Sequence, residues 1–423
     1  MTTAAPPVET EIASGSVTPE RMTKPLKRLF GFSVPLFLSV YLIVGAIPGV
    51  LLPLQVAGID EANKVGNLAL ITGIGAIVAM IASPIAGLIS DRTRSRFGRR
   101  APWLVVGALT TGLTLVGMGF ANGVVQLVIG WSIAQLFLNL LISPLSAIMP
   151  DRVPAPRRGV FSALVGIGTM LGAIGGQSVG AAFAGNVPMG YFVIPGIAIV
   201  VAVLFVVFCR ESSTLEMERE PFSLKVLLQM FWVSPRKHPD FAWGFLGRLF
   251  LYTGYFAITG YQLYLLQDYI GLGDNAIGML PLLGLINVTA LMVSTAVSGP
   301  LSDRFQRRKV FVIAASLIMA LGMVIPVFLP SVTGMVLFSI VVGLGFGAYA
   351  AVDGALMSEL LPSSGTYAKD LGVLNLAATL PQTLSPFVGG AIVLAFGYVA
   401  LFPIGIVLAV LGALAIIPIK SVR

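Results

Sequence analysis

Hydrophobic residues run along this chain in long blocks, and short polar segments separate each block from the next. The blocks are about 19 to 27 residues long, and an α-helix needs roughly 20 mostly apolar residues to cross a bilayer. The pattern therefore predicts membrane-spanning helices. Twelve spans are expected, at 29–54, 67–90, 102–120, 124–149, 159–183, 190–209, 241–267, 277–301, 310–329, 332–358, 370–394 and 396–418.

Twelve spans place both chain ends on one side of the membrane. The longest polar interruption, 210–240, divides six spans from six, so we expect an all-α membrane protein built of two six-helix bundles. Its stretch 222–233 suits an interfacial helix and a solvated linker equally well. The predicted division is a disordered tail (1–28), a first bundle (29–209), a linker (210–240), a second bundle (241–418) and a short tail (419–423).

The composition indicates that lipid surrounds this chain. Of the 423 residues, 57% are hydrophobic and 10% are charged, whereas soluble proteins carry roughly 25% charged residues. Cys209 and His238 are the only residues of their types, so one chain cannot build a disulfide framework, a zinc site or a thiol–histidine pair. We therefore expect no enzymatic activity, no bound metal and no cofactor.

The basic residues are distributed unevenly along the chain, which has a net charge of +8. All Lys and Arg residues except Lys64 and Arg248 lie in the two tails or in gaps that follow even-numbered spans. A missed span would scramble this alternation, so the charges support the count of twelve. Because basic loops stay in the cytoplasm, both termini are predicted to be cytoplasmic, in a plasma or inner membrane. Charges spread over short loops do not form a nucleic-acid-binding patch.

A short motif occurs twice, at the same step of each half. The second span ends Gly87-Leu-Ile-Ser-Asp91-Arg92 before a basic run that ends Gly98-Arg99-Arg100, and the eighth ends Gly299-Pro-Leu-Ser-Asp303-Arg304 before Arg307-Arg308-Lys309. This arrangement resembles the signature loop of the major facilitator superfamily. The resemblance covers essentially residues 29–418, and it implies two six-helix bundles around a central cavity and transport by alternating access.

We predict that the two signature loops gate the face that carries the termini. Glycine lets two helices approach closely, and a carboxylate at a helix end can pair with a nearby Arg. The alternative is that these charges only set the topology. The predicted gating residues are Gly87, Asp91, Arg92, Gly98, Arg99, Arg100, Gly299, Asp303, Arg304 and Arg307.

A narrower resemblance concerns three segments of the chain. Ser90–Arg100, Pro144–Asp151 and Leu371–Gln382 resemble segments of the proton-coupled sucrose and disaccharide carriers. That family pattern has an Arg where this chain has Ser146. The resemblance implies a sugar or glycoside as the substrate and a proton as the coupling ion.

Two charged side chains are predicted to lie well inside the membrane. Arg248 and Asp353 should each lie about 9 to 10 Å from the face that carries the termini, so they could meet at one level. Burying either charge alone is costly, which makes both functional candidates. In one interpretation Asp353 binds and releases a proton while Arg248 holds it ionised in between; in the other, the two form a permanent structural salt bridge.

Polar and aromatic residues within the spans are candidates for substrate binding. The family resemblance implies that spans 1, 4, 7 and 10 line the cavity. Amides can hydrogen-bond to hydroxyl groups and aromatic faces can stack on a sugar ring; the alternative is that the amides join helices and the tyrosines anchor at interfaces. The predicted cavity residues are Asn139, Tyr252, Tyr255, Tyr349, Asn375 and Gln382.

The function that these patterns favour is secondary transport of a small polar solute. We expect a monomeric, proton-coupled carrier of a sugar or glycoside, with the lipid bilayer around it. One alternative is an efflux antiporter for amphipathic, drug-like compounds, although the glycine-rich fifth span has no proline. The other alternative is a membrane enzyme or receptor that transports nothing.

Overall fold

The computed structural model describes residues 22–216, 236, 238–305, 307–360 and 367–420, apart from the side chains of 358, 367–376 and 378. Twelve long helices run through this part of the chain, which confirms the predicted all-α fold. They are α1 (Lys24–Ile59), α2 (Lys64–Arg92), α3 (Ala101–Gly119), α4 (Val124–Arg152), α5 (Arg158–Ala182), α6 (Val187–Phe208), α7 (Pro239–Thr259), α8 (Ala276–Phe305), α9 (Arg308–Phe328), α10 (Val332–Leu360), α11 (Tyr367–Phe396) and α12 (Leu401–Ile416).

Eleven segments within the described ranges are long and apolar enough to cross a membrane. The helix outside this set is α7, in which Asp240, Arg248 and several glycines lower the mean hydropathy. Its 21 residues still extend about 31 Å, close to the thickness of the hydrocarbon layer. Because α7 packs along α11 and α12, it lies in the membrane beside these two spanning helices.

The same helix pairs occur in the two halves of the molecule. In the first half α1 packs against α5 and α6, α4 packs against α2 and α3, and α3 packs against α6. Adding six to each helix number gives pairs found in the second half: α7 with α11 and α12, α10 with α8 and α9, and α9 with α12. The repeated motif in the sequence therefore corresponds to a repeated arrangement of helices.

Glycines on one face of α5 determine how closely it approaches α1. A Cβ atom on Gly168 would lie 2.8 Å from the carbonyl oxygen of Val34, and one on Gly172 would lie 2.5 Å from that of Leu38. Real Cβ atoms do not approach oxygen so closely, so these positions need glycine. The face consists of Gly168, Gly172, Gly176 and Gly180, spaced four residues apart.

One widened helical turn occurs at a matching place in each half. Residues Ile47–Leu51 form a π-helical turn within α1, and Leu265–Tyr269 form another shortly after α7. The segments next to these two turns contact each other across the halves: the Tyr264 hydroxyl, just before the second turn, donates a 2.8 Å hydrogen bond to the Pro53 carbonyl, just after the first. A π-turn holds one extra residue and often marks a functional position.

The two halves meet at one face of the membrane. We call the face where α1 begins and α2 ends the basic face, and the other the opposite face. Across the halves, α2 packs against α11 and α5 against α8. Toward the opposite face the Phe387 ring covers Gly73, and the Gln177 side chain covers Gly284, so that neither glycine has room for a Cβ. The structure is therefore closed at the opposite face.

Candidate functional site

A buried ion pair joins α7 and α10 inside the membrane. Arg248 Nη2 lies 2.7 Å from Asp353 Oδ2, and the Asp353 side chain is 1% exposed. Arg248 is nine residues from the start of α7 at Pro239, and Asp353 is seven from the end of α10 at Leu360, or about 14 and 10 Å along the helix axes. The two side chains therefore meet at nearly the same depth, as their positions in the sequence predicted.

This ion pair costs desolvation energy. Removing either partner of a buried pair leaves an uncompensated charge, whereas replacing both by apolar groups is often neutral or stabilising. Inside a membrane an ionisable pair of this kind is therefore a candidate functional site. The Tyr349 hydroxyl lies within hydrogen-bonding reach of Asp353, and the Tyr252 hydroxyl within reach of Arg248, so further polar groups lie against the pair.

Five aromatic rings from the same two helices form a cluster on one side of the ion pair. The Tyr252 ring centroid lies 5.5 Å from the Arg248 guanidinium carbon, and Tyr255 stacks on Phe346 at 4.3 Å with 12° between the rings. Tyrosines at positions 252, 255 and 349 are buried, while both phenylalanines are half-buried. We call Tyr252, Tyr255, Phe256, Phe346 and Tyr349 the aromatic cluster.

Sequence reasoning found the tyrosines of this cluster and missed its phenylalanines. Phe256 follows Tyr252 by four residues and Phe346 precedes Tyr349 by three, the spacings that place side chains on one face of a helix. This helical spacing is the sequence feature from which the two phenylalanines could have been predicted. The two phenylalanines are also the more exposed members, so they offer the accessible faces of the cluster.

Two of the other predicted cavity residues, Asn139 and Gln382, do not join this cluster. Asn139 lies in the first half, where its amide donates a 2.9 Å hydrogen bond to the Gln135 carbonyl of the same helix. Gln382 is exposed on α11, and the side chain of Asn375 lies outside the described residues. A residue that the sequence missed, Asn287 of α8, accepts a long 3.4 Å hydrogen bond from the Tyr255 hydroxyl.

Ion pairs of Arg100 join the first signature loop to α4. This buried side chain pairs with Asp91 at the end of α2 and, at 2.8 Å, with Asp151 at the end of α4. Arg99 reaches the same Asp151 carboxylate at 2.6 Å. Asp151 thus joins two helix ends of the first half, and it was missing from the predicted gating residues.

Gly98 has a local structural role in the same loop. Its φ of +92° favours glycine, and a Cβ there would collide with the Glu211 carboxylate. Glu211, which follows α6, accepts hydrogen bonds from the backbone N–H groups of Arg100 at 2.9 Å and Ala101 at 3.3 Å. These groups begin α3, where a negative charge is favourable, so Glu211 fixes the loop against the end of α6.

The second signature loop repeats the pattern with Arg308. Its guanidinium lies 2.6 Å from Glu359 of α10 and 3.7 Å from Asp303 of α8. The sequence selected Arg307 for this role, but Arg307 precedes the first turn of α9 and Arg308 begins that turn. Arg92 and Arg304 lie in the last turns of α2 and α8, where a positive charge is favourable.

The expected close crossing at the signature glycines is not found in this structure. A Cβ added to Gly87 or Gly299 would meet no heavy atom within 4 Å. Both glycines lie near the basic face, where the ion pairs of Arg100 and Arg308 join residues of one half only. Among the described residues, therefore, nothing covers either glycine; the side chains of 367–376 and 378 in α11, the helix that packs against α2, lie outside them.

Comparison with known families matches this architecture. The model of the Major Facilitator Superfamily matches residues 29–298 and 265–422, which together include all twelve helices apart from the first residues of α1. The chain belongs to the major facilitator superfamily. Members of this superfamily are transporters, so the ion pair and the aromatic cluster lie in a membrane transporter of small solutes, not in an enzyme.

Similarity to particular members covers shorter stretches. Over 120 residues, 23% of this chain and 24% of the relative, the sequence is 26% identical to "Sucrose transport protein SUC4" of Arabidopsis thaliana. Over 155 residues, 33% of this chain and 22% of the relative, it is 30% identical to "Lactose permease" of Leuconostoc lactis. The matched stretches therefore span about a quarter of the length of these relatives.

A solved structure with the same fold covers nearly the whole chain. The crystal structure of a D-xylose-proton symporter superposes with a TM-score of 0.70, covering 93% of this chain and 98% of that chain at 18% sequence identity. Similarity at this level of identity concerns the fold alone. The two chains therefore share the three-dimensional arrangement of both halves.

Proposed function

We propose that this protein is a proton-coupled carrier of a sugar or glycoside that works by alternating access as a monomer. The observation that carries the proposal is the Arg248–Asp353 ion pair lying against the aromatic cluster. Aromatic faces stack on the apolar side of a sugar ring, and an ionisable carboxylate can take up a proton. The relatives named for sucrose and lactose, and the fold shared with a D-xylose-proton symporter, support this choice.

The proposed cycle couples the state of the ion pair to the position of the halves. Asp353 stays ionised while Arg248 is bound to it. A substrate hydroxyl that competes for Arg248, or a movement of α7 against α10, separates the pair and lets Asp353 accept a proton. Neutralising the buried carboxylate removes the cost of an unpaired charge, so substrate and proton favour the same rearrangement.

The proposed orientation places the basic face in the cytoplasm of a plasma or inner membrane. Positively charged loops remain on that side, and both described chain ends lie there. With this orientation, the closed opposite face is the external face. We propose bundles at 29–209 and 241–418; α1 and α7 begin slightly earlier, at Lys24 and Pro239, and the tail (1–21) and most of the linker (217–235) lie outside the described residues.

The test is sugar uptake into proteoliposomes with and without an inward proton gradient. Wild-type protein is expected to accumulate the sugar only with the gradient. Asp353→Asn is expected to retain exchange of sugar across the membrane but to lose accumulation driven by the gradient. Asp274→Asn, which changes an exposed carboxylate outside the ion pair and the signature loops, serves as the control and should remain gradient-dependent. Undiminished accumulation by Asp353→Asn would rule out Asp353 as the proton carrier.

A further inference from the structure

Lys64 is placed where a lysine is unfavourable for the helix that contains it. It is the first residue of α2, and the N-terminal end of a helix carries a partial positive charge that repels cations. Its side chain is only 10% exposed, so water screens the ammonium group poorly. It is also the single basic residue that the loop pattern assigns to the opposite face. A compensating partner is therefore required.

The compensating charge comes from the other half of the molecule. The Lys64 ammonium lies 2.9 Å from Oδ2 and 3.0 Å from Oδ1 of Asp268, so it contacts both carboxylate oxygens. Asp268 lies in the π-turn after α7 and also accepts a 2.7 Å hydrogen bond from the Tyr398 hydroxyl. The ammonium group lies 5.0 Å from the Tyr264 ring centroid, which adds a cation–π contact across the halves.

Other acidic groups around Lys64 do not join the halves. Glu61 lies 2.7 Å from the ammonium, but it belongs to the same half and is 69% exposed. Asp60 is occupied within its own loop, where hydrogen bonds from Asn63, together with one from Asn67, hold its pKa below the usual value. Asp268 is therefore the carboxylate through which Lys64 acts on the second half.

We propose that Lys64, Asp268 and Tyr398 form an ionic latch that holds the opposite face closed and must open in each cycle for solute to pass that face. The latch lies on the membrane-surface side of the contacts between Phe387 and Gly73 and between Gln177 and Gly284. Closure thus has two layers, a packed layer inside the membrane and a charged layer at its surface. The halves cannot separate at this face while the ammonium stays bound to both Asp268 oxygens.

The test measures the separation of the halves directly and needs no substrate, so its outcome is independent of the proposed sugar specificity. Full-length protein with Cys209→Ser receives spin labels at Ala62→Cys and Asn275→Cys, two exposed positions on the opposite face, one in each half. Distances between the labels are measured in lipid nanodiscs. Lys64→Gln and Asp268→Asn are each expected to raise the ratio of long to short distances about threefold to fivefold, as expected for a partly exposed ion pair.

Matched variants separate the latch from a general loss of stability. Glu61→Gln removes a partner of the same lysine within one half and should leave the ratio unchanged. Tyr398→Phe should raise it by a smaller factor, because only the hydrogen bond to Asp268 is lost. The exchange Lys64→Asp with Asp268→Lys should return the ratio toward wild type. An unchanged ratio in both single variants, or an exchange variant as open as the single variants, would overturn the proposal.

Discussion

The two halves of this transporter share a helical arrangement and differ in what they bury. In the first half α5 lies against α1 through a row of glycines, and helix contacts are made by backbone. In the second half glycines such as Gly347 and Gly343 also bring helices together through backbone, but α7 and α10 in addition bury the Arg248–Asp353 pair beside the aromatic cluster. A repeated scaffold therefore does not imply repeated chemistry: both halves pack closely, and the second half adds the polar and aromatic groups inside the membrane.

The largest expected effect comes from breaking the ion pair of the second half. Asp353→Leu leaves Arg248 buried without its partner and should lower the free energy of unfolding by roughly 3 to 5 kcal/mol. Adding Arg248→Met should recover most of that stability, while transport remains lost. Thermal unfolding in detergent and uptake in proteoliposomes check the two parts. A double variant as unstable as the single one would contradict the explanation.

A smaller effect is expected from the glycine face of the first half. Gly172→Ala would force α5 away from the Leu38 carbonyl of α1, and overpacking of this kind costs about 1 to 3 kcal/mol. The control is Gly166→Ala in the same helix, where a Cβ meets nothing within 4 Å. The midpoint temperatures of thermal unfolding are compared between the two purified variants. Equal midpoints would show that the row of glycines does not set the spacing of the helices.

The smallest expected effect concerns the accessible face of the aromatic cluster. Phe346→Leu removes a ring that stacks on Tyr255 and should weaken sugar binding by about 0.5 to 1.5 kcal/mol without loss of folding. Phe328→Leu, an 82% exposed phenylalanine at the end of α9, is the matched control. Binding is measured by the change in thermal midpoint across a sugar titration. Unchanged affinity in Phe346→Leu would place the substrate elsewhere in the cavity.

The sequence predicted those features that a single helix or a rare residue determines. Twelve long apolar runs became twelve helices, because length and hydrophobicity decide whether a helix spans a membrane. The pairing of Arg248 with Asp353 followed from depth, since few charges lie inside the spans and their helix positions are fixed by the rise per residue. These arguments need no knowledge of how the helices pack.

Other features depended on packing and could not be obtained in this way. Gly87 and Gly172 look alike in the sequence, but among the described residues only Gly172 is covered, because α1 packs against α5 at that position. The choice of Arg308 over Arg307 depends on a helix start shifted by one residue, which sequence patterns do not resolve. The contact of Glu211 with Arg100 joins residues 111 positions apart, and no local sequence pattern around either residue predicts it.

The π-turn of α1 has a consequence for the phase of the helix beyond it. The turn accommodates one surplus residue, so the segment Leu52–Ile59 is rotated by about 100° compared with an uninterrupted helix. Deleting one residue from Ile47–Leu51 would swing Pro53 away from the Tyr264 hydroxyl that it now meets. At this face, a change of one residue in chain length would therefore disturb the fit of the halves more than most substitutions, because it changes the direction of every side chain in the rest of that helix.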